Sequence, residues 1–345
     1  MKPTDQISRL PRKVEKNLHH FKASELQMWL LYYSIPSLMI FLPQEYLHHL
    51  GLLVEGSYLL LSDKITNQDL QRADYVLADI YREFAVLYGT NNCTLNLHNV
   101  GCHLTTYVRK FGPLWAWSCF QFEDLNGSIL DSVHGTGDVC LQIMWMVQAQ
   151  KRLSLDASHI SNPIFKTFVE EMTHSNRRTV TIKQRAENCQ IAGGITGIST
   201  ENLPFENDIR ALLDIEHDLG RLSKALRIVR GDVVFYSEHY SRMKKRIAYV
   251  VTTDPAASGI NLAAVQYFIL HHATNKCFAV IRPLRIHEGS PYVHNEVHHL
   301  IRVEKIDNQE KVILVESICE KVLFLNGNKD YACIARLPNL YGLCS

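Results

Sequence analysis

Three groups of side chains in this sequence could do chemistry: a carboxylate among aromatic residues, a spaced pair of histidines, and a basic stretch rich in tyrosine. The carboxylate is Glu123, which lies between Phe122 and Leu125. Burying an ionised carboxylate is unfavourable unless it is paired or binds a cation, so this position could mark a metal site. The alternative is a glutamate in the first turn of a helix, stabilised by backbone N–H groups and the helix dipole. Both interpretations of Glu123 stay open at this point.

The second group is His98 and His103. Five residues on an ideal helix turn through about 140°, which would place the two rings on different faces. Gly101 could break the helix and bring the rings together, and Cys93 and Cys102 could then add thiolate ligands. The alternative is a pair of core or interface histidines, and we do not expect zinc at His98 and His103.

Two further pairs of histidines stand side by side in the sequence, at 271–272 and 298–299. Both pairs fall in segments with strand-like alternation. Adjacent residues of a strand point to opposite faces, so neither pair is expected to bind zinc.

The third group is the basic stretch 237–246, which carries Arg242, Lys244, Lys245 and Arg246 beside Tyr240. Cationic side chains next to an aromatic ring suit contact with nucleic-acid phosphates and bases. A solvated hairpin face is the alternative. If the stretch is a strand, Lys244 and Arg246 share one face and Lys245 takes the other.

The elements that must position these groups begin with helices. Thr66 and Asp69 have the spacing of a capping box, and Gly89 is placed to end the helix that follows. Pro36 is expected to stop an earlier helix, and residues 134–138 to form a turn between two helices. The predicted helices cover about residues 26–35, 50–61, 67–88, 96–111 and 118–130.

The second half of the chain changes character. Periodicity fades after residue 153, and strand-like alternation dominates from residue 229 onward. We therefore expect an α+β multidomain protein in which the all-β part is a small barrel or sandwich. The predicted divisions are a helical domain at 1–152, a flexible linker at 153–204, a connecting helix at 205–228 and the β domain at 229–345.

Composition narrows the class of protein. The 345 residues are 46% hydrophobic and carry 36 Lys+Arg against 35 Asp+Glu, so the chain can bury a core and any nucleic-acid contact must be a local patch. The nine cysteines are scattered, which favours reduced thiols. No apolar run is typical of a membrane span or a secretory signal, so we expect an intracellular protein with no membrane partner.

A set of short motifs, in a fixed order, resembles the C-terminal part of CACTA-type (Enhancer/Suppressor-mutator) transposases over about residues 5–150. The motifs are RLPR at 9–12, FKASE at 21–25, LLYYSIP at 30–36, LP at 42–43, YG at 88–89, NLH at 96–98, HL at 103–104, GPLW at 112–115 and SCFQFE at 118–123. Each motif alone is weak, and their order makes the resemblance specific.

The resemblance implies a fold and a chemistry. Such transposases resemble DDE enzymes, in which a ribonuclease-H-like fold holds two Asp and one Glu around two Mg²⁺ or Mn²⁺ ions. Glu123 would then be the closing glutamate on the terminal helix, and residues 21–111 would be the helical insertion before it. His98 and His103 are likewise similar to a His-x4-His zinc element of Transib transposases, although the cysteine pair that completes that element has no counterpart here.

The resemblance to these transposases also limits the expected activity. The aspartates before Glu123 lie in a polar N-terminal stretch or among the predicted helices: Asp5, Asp63, Asp69, Asp74 and Asp79. A lone carboxylate cannot assemble a two-metal site, so we expect binding to DNA or to a partner chain, or self-association, without autonomous catalysis and without a cofactor. The alternatives are a transposase subunit that supplies Glu123 in trans and a recruited protein-interaction scaffold. A nuclear location fits the resemblance better than a cytoplasmic one.

Overall fold

The computed structural model describes the backbone of residues 4–7, 12, 14–157, 159–162, 164–165, 169, 180–199, 203–216, 219–287, 292–304, 309–326 and 332–339. Residues 8–11, which begin the resemblance, and residues 170–179 of the predicted linker lie outside this part. Over the described residues the protein is α+β, with helices first and three antiparallel sheets after them.

The helices before residue 118 agree with the spacing of apolar residues in the sequence. They are α1 Val14–Asn17, α2 Ala23–Met28, α3 Ser34–Leu38, α4 Gln44–Leu61, α5 Asn67–Tyr88, α6 Leu95–His98 and α7 Leu104–Phe111. Thr66 caps α5 as predicted, since its hydroxyl accepts from the N–H of Asp69 while the Asp69 carboxylate accepts from the N–H of Thr66. Gly89 ends the helix with a φ of 87°, a region that favours glycine.

Two π turns join neighbouring helices into longer ones. Trp29–Tyr33 connects α2 to α3, and Asn99–His103 connects α6 to α7. Pro36 lies inside α3, so the prediction that it stops the helix is wrong. The wider turn that ends at Tyr33 alters the hydrogen-bond ladder just before this proline, which cannot donate a backbone hydrogen bond.

The strands form three sheets. A small sheet has the order β1-β2-β5-β6, a large one has the path β12-β9-β8-β4-β3 with β7 on β8 and β13 on β7, and a third has the order β10-β11-β15-β14. The strands are β1 Ile182–Arg185, β2 Gln190–Ala192, β3 Ile195–Ile198, β4 Leu222–Ala225, β5 Arg227–Arg230, β6 Val233–Tyr236, β7 Val250–Thr253, β8 Leu262–His271, β9 Lys276–Pro283, β10 Tyr292–His294, β11 Val297–Val303, β12 Lys311–Leu314, β13 Ile318–Lys321, β14 Leu323–Asn326 and β15 Ala332–Ala335. None of these sheets closes on itself within the described residues, and the predicted small barrel or sandwich stays a prediction.

The predicted linker is wrong for its second half. Strands β1, β2 and β3 lie between residues 182 and 198, and Ile191 is fully buried in the core that joins the small and large sheets. The predicted connecting helix is shorter than expected, because helix α10, Glu206–Leu213, ends at a left-handed Asp214 and β4 follows. The strand-rich part therefore begins well before residue 229.

The N-terminal helices and the third sheet share one hydrophobic core. Leu31, Tyr32 and Val54 from the helices pack with Leu300 and Leu323 from the sheet. The predicted boundary at residue 152 is therefore wrong, since the chain divides into one unit of residues 1–117 with 182–344 and a second unit of residues 118–181. The ribonuclease-H-like assignment stays a prediction.

The second unit contains two described helices, α8 Phe120–Asp131 and α9 Val139–Ala157. Residues 134–138 separate them, as the sequence predicts, with Asp138 in a left-handed conformation. Over the described chain, no helix combines the length and the hydropathy needed to cross a bilayer.

Candidate functional sites

The basic stretch is a series of turns, so the predicted strand faces do not exist there. After β6 the backbone bonds from Tyr240 to Ser237, from Met243 to Tyr240 and from Arg246 to Met243 fold residues 237–246 into a loop. We call this segment the basic loop. The exposed cations of the loop are Arg242, Lys244 and Lys245.

Arg246 points in a different direction from its neighbours. Its Nη1 atom donates to the main-chain oxygens of Thr4, at 2.7 Å, and of Ile7. Ile7 is 2% exposed and belongs to the core shared by the helices and the third sheet. Arg246 therefore anchors the N-terminal segment, and the prediction that it joins a phosphate-binding strip is wrong.

Tyr240 lies at the start of the basic loop, in a small stack. The guanidinium of Arg227 lies 4.7 Å from the centre of the Tyr240 ring, and the Tyr236 ring lies 5.5 Å from it. Arg227 also covers Gly193, where an added Cβ would come within 2.6 Å of the guanidinium. The stack fixes Tyr240 beside the exposed cations by a cation–π contact.

The small sheet extends this positive surface. Ile191 pairs with Ile228, and both side chains lie in the core, so they mark the core side of this sheet. Arg227 is the neighbour of Ile228 and therefore points to the opposite, outer side. Arg185 pairs with Gln190, which pairs with Val229, and these positions share the face of Arg227. Arg185 and Arg227 therefore give the outer side of this sheet a positive charge, and its four strands contain no Asp or Glu. Arg230 faces the core side instead, where it donates to the carbonyl oxygens of Val315, Glu316 and Ile318. We call the outer side of this sheet together with the basic loop the basic face.

The rings of His98 and His103 are brought together, with their centres 4.9 Å apart and edge to face. A π turn places residues five apart next to each other, whereas an ideal α-helix would separate them. Gly101 does not break the helix but lets it approach α5, since a Cβ there would lie 2.5 Å from the Cβ of Tyr81. Among the described residues no group of three or more His, Cys, Asp or Glu could hold a metal ion.

Glu123 lies in the first turn of α8 and is exposed. Its apolar neighbours Phe122 and Leu125 are 65% and 53% exposed, so the carboxylate is not in the desolvated place that the sequence suggested. This geometry agrees with the alternative of a helix-start glutamate.

The histidines at 271 and 272 have structural partners. Nε2 of His271 lies 2.7 Å from the carbonyl oxygen of Leu219, and Nε2 of His272 lies 2.8 Å from the hydroxyl of Ser223.

The pair at 298–299 belongs to a polar cluster that the sequence analysis missed. Glu55, on α4, is 2% exposed, and its carboxylate accepts from the N–H of His298 at 3.1 Å and lies 3.1 Å from Nδ1 of that residue. Arg72 Nε and His299 Nδ1 approach the same carboxylate at 3.9 Å and 4.0 Å. We call the contact between α4 and β11 around Glu55 the seam.

The ionisation of the seam is governed by burial. Desolvation raises the pKa of Glu55, against the opposing effect of His298 and Arg72. Desolvation lowers the pKa of His299 to about 4, since its side chain is 1% exposed; its ring is stacked on Tyr58 with the centres 3.8 Å apart. One signal in the sequence could have pointed here, since Glu55 is the one charged residue between Leu47 and Leu61.

Comparison with known proteins identifies no relative: no family model, no curated protein and no solved structure matches this chain.

Proposed function

We propose that this chain is a transposable-element-derived protein that binds nucleic acid through its basic face and has no autonomous catalytic activity. The origin rests on the ordered motifs between residues 9 and 123, which resemble a CACTA-type transposase. The binding rests on the basic face. A nuclear location fits this function.

The observation that carries the proposal is the position of three exposed cations beside a fixed aromatic stack. Arg242, Lys244 and Lys245 follow Tyr240 within five residues, and Arg227 holds the Tyr240 ring. Exposed lysine and arginine side chains neutralise phosphates and release condensed counterions, while tyrosine offers a surface for a base. Because few phosphates are neutralised, binding is weak, independent of sequence and sensitive to salt.

The test is the affinity of the whole chain for a generic labelled duplex, measured by fluorescence anisotropy. The triple variant Arg242→Glu/Lys244→Glu/Lys245→Glu should raise Kd by about tenfold or more at about 50 mM salt, since it replaces attraction to phosphates by repulsion.

The matched control is Lys64→Glu/Arg109→Glu/Lys110→Glu. These three cations are exposed and lie outside the basic face, and their reversal changes the net charge by the same amount. An equal loss of affinity in the control would mean that only the overall charge matters. The assignment to the basic face would then be wrong.

The rival from the enzyme class is that the chain supplies Glu123 to a partner in two-metal strand transfer. Its exposed position leaves Glu123 accessible to another chain. The test is Mn²⁺-dependent cleavage of a transposon end by the chain together with a partner that brings two aspartates. Loss of cleavage in Glu123→Gln would favour this rival over the leading proposal.

Self-association is a second candidate function, and one helix favours it. Residues 139–150 of α9 hold no charged residue, and Leu141, Met144 and Trp145 are exposed along it, with Trp145 at 68%. Sedimentation at rising concentration tests this role. Trp145→Ser should abolish any dimer, because a large exposed aromatic commonly anchors such a contact.

A further inference from the structure

The seam presents two buried acceptor groups to each other. Nε2 of His299 lies 2.8 Å from the carbonyl oxygen of Leu31, which can only accept, so Nε2 carries the proton. In the neutral ring Nδ1 then carries a lone pair and can only accept a hydrogen bond, and this atom lies 4.0 Å from Oε2 of Glu55. Nδ1 has no hydrogen-bond partner among the described residues.

Ionised Glu55 would leave this arrangement unsatisfied. A carboxylate is an acceptor only, so it offers nothing to the Nδ1 lone pair. Both side chains are at most 2% exposed, which makes an unpaired acceptor costly. One proton placed between Oε2 and Nδ1 converts the pair into a donor and an acceptor, with a shift of the side chains or a bridging water closing the distance.

We propose that the seam holds one proton at neutral pH, carried on Oε2 of Glu55 and donated to Nδ1 of His299, and that this proton keeps α4 closed on β11. The remaining contacts of the carboxylate fit this state. Oε2 can still accept from the N–H of His298 while its own proton points to His299, and Oε1 faces Nδ1 of His298 and Nε of Arg72.

Other titratable or charged groups surround the seam. They are Tyr32 from the first π turn, His48 and Tyr58 from α4, Arg72 from α5, Tyr292 and His294 from β10, Glu296 after β10, and His298 from β11. Burial also lowers the pKa of His294, as it does for His299.

The histidines and Glu55 make the stability of the protein depend on pH in opposite directions. The two histidines with lowered pKa values contribute stability above about pH 6.5 that is lost as the pH falls. Glu55 has a raised pKa in the folded state. Its contribution to stability is complete at pH values below the ordinary pKa of a glutamate, and it is lost as the pH rises through the folded-state pKa. The seam is therefore a proton-dependent latch that alkaline conditions loosen through Glu55.

Infrared spectroscopy of the whole chain tests the proton directly. Near neutral pH exposed carboxyl groups are ionised, so a C=O band of a protonated carboxylic acid that is absent from Glu55→Gln belongs to Glu55. Glu296→Gln is the matched control, since Glu296 lies in the same cluster at 25% exposure and binds Arg72 at 3.0 Å. We expect the band in the wild type and in this control, and its absence from the wild type would overturn the proposal.

Three further measurements keep the inference testable. In His299→Phe the acid loses its acceptor, so the band should persist and move to higher frequency; an unmoved band would contradict donation to Nδ1. If Glu55→Gln does not fold, the difference between wild-type spectra near neutral pH and at about pH 10 should show loss of the same band. Denaturation should show that Glu55→Gln gains stability relative to the wild type as the pH rises from about 5 to 8, because only the wild type loses the contribution of a protonated Glu55, while the contributions of His294 and His299 are common to both. A stability difference that does not change with pH over this range would contradict a proton held on Glu55.

Discussion

Arg246 donates from Nη1 to the main-chain oxygen of Thr4 at 2.7 Å, although the residue before it in the chain, Lys245, is exposed. One basic run thus serves two purposes. Three of its cations are exposed to solvent, and the fourth fixes the N-terminal segment, 242 residues earlier in the sequence.

Arg246→Ala should destabilise the protein, whereas Lys245→Ala should leave its stability unchanged. The arginine substitution removes charged donors from the carbonyls of Thr4 and Ile7 and leaves those oxygens without this partner, at a cost of about 1–3 kcal/mol. Urea denaturation of the two variants measures the difference. Equal stabilities would contradict the anchoring role.

A second anchor holds the same segment. Lys321, 3% exposed, binds the Asp5 carboxylate at 2.7 Å and 2.8 Å and the carbonyl of Val234 at 3.0 Å. Asp5→Ala leaves a buried ammonium without its counter-ion and should cost about 3 kcal/mol or more.

The matched variant for this ion pair is Asp5→Ala/Lys321→Met, in which no buried charge remains. Its free energy of unfolding should lie closer to the wild type than that of Asp5→Ala alone. If the double variant is the less stable by the full sum of the two single effects, the pair is not energetically coupled.

Gly101→Ala tests the packing of the second π turn on α5. The new Cβ would lie 2.5 Å from the Cβ of Tyr81 and 3.1 Å from the carbonyl oxygen of Leu77, so overpacking should cost about 1–3 kcal/mol. Gly127→Ala is the control, because it adds a Cβ to helix α8 where nothing lies within 4 Å. That change should stabilise its helix by up to about 1 kcal/mol. A melt in which the two variants shift in the same direction would contradict this account.

Local signals in the sequence predicted helix α5 well, whereas helix α9 was not predicted as an element. The reciprocal bonds of Thr66 and Asp69 depend on residues three apart, and the stripe of α5 depends on spacing alone. The strands β1 to β3 escaped prediction because each has only three or four residues, and three of the four in β1 are polar. Ile191 is buried only because β2 pairs with β5, nearly forty residues further on.

The candidate sites likewise depend on contacts between residues that are far apart in the sequence, which local patterns do not predict. The basic loop was visible as a run of cations, but the inward direction of Arg246 depends on successive turns and on the N-terminal segment. The seam joins Glu55 to His298 across 243 residues of sequence, so only a folded chain brings these groups together. The contact between His98 and His103 depends on a π turn, which no local sequence pattern predicted.

The central claim is that the exposed cations of the basic face contact phosphates, and the salt dependence of binding tests it most directly. The affinity of the whole chain for a generic duplex should fall linearly with salt on a logarithmic plot, with a slope of about 0.9 for each phosphate contacted. Arg242→Gln/Lys244→Gln/Lys245→Gln should reduce that slope by up to about 3. A wild-type chain without salt-sensitive binding, or a variant with an unchanged slope, would contradict the claim.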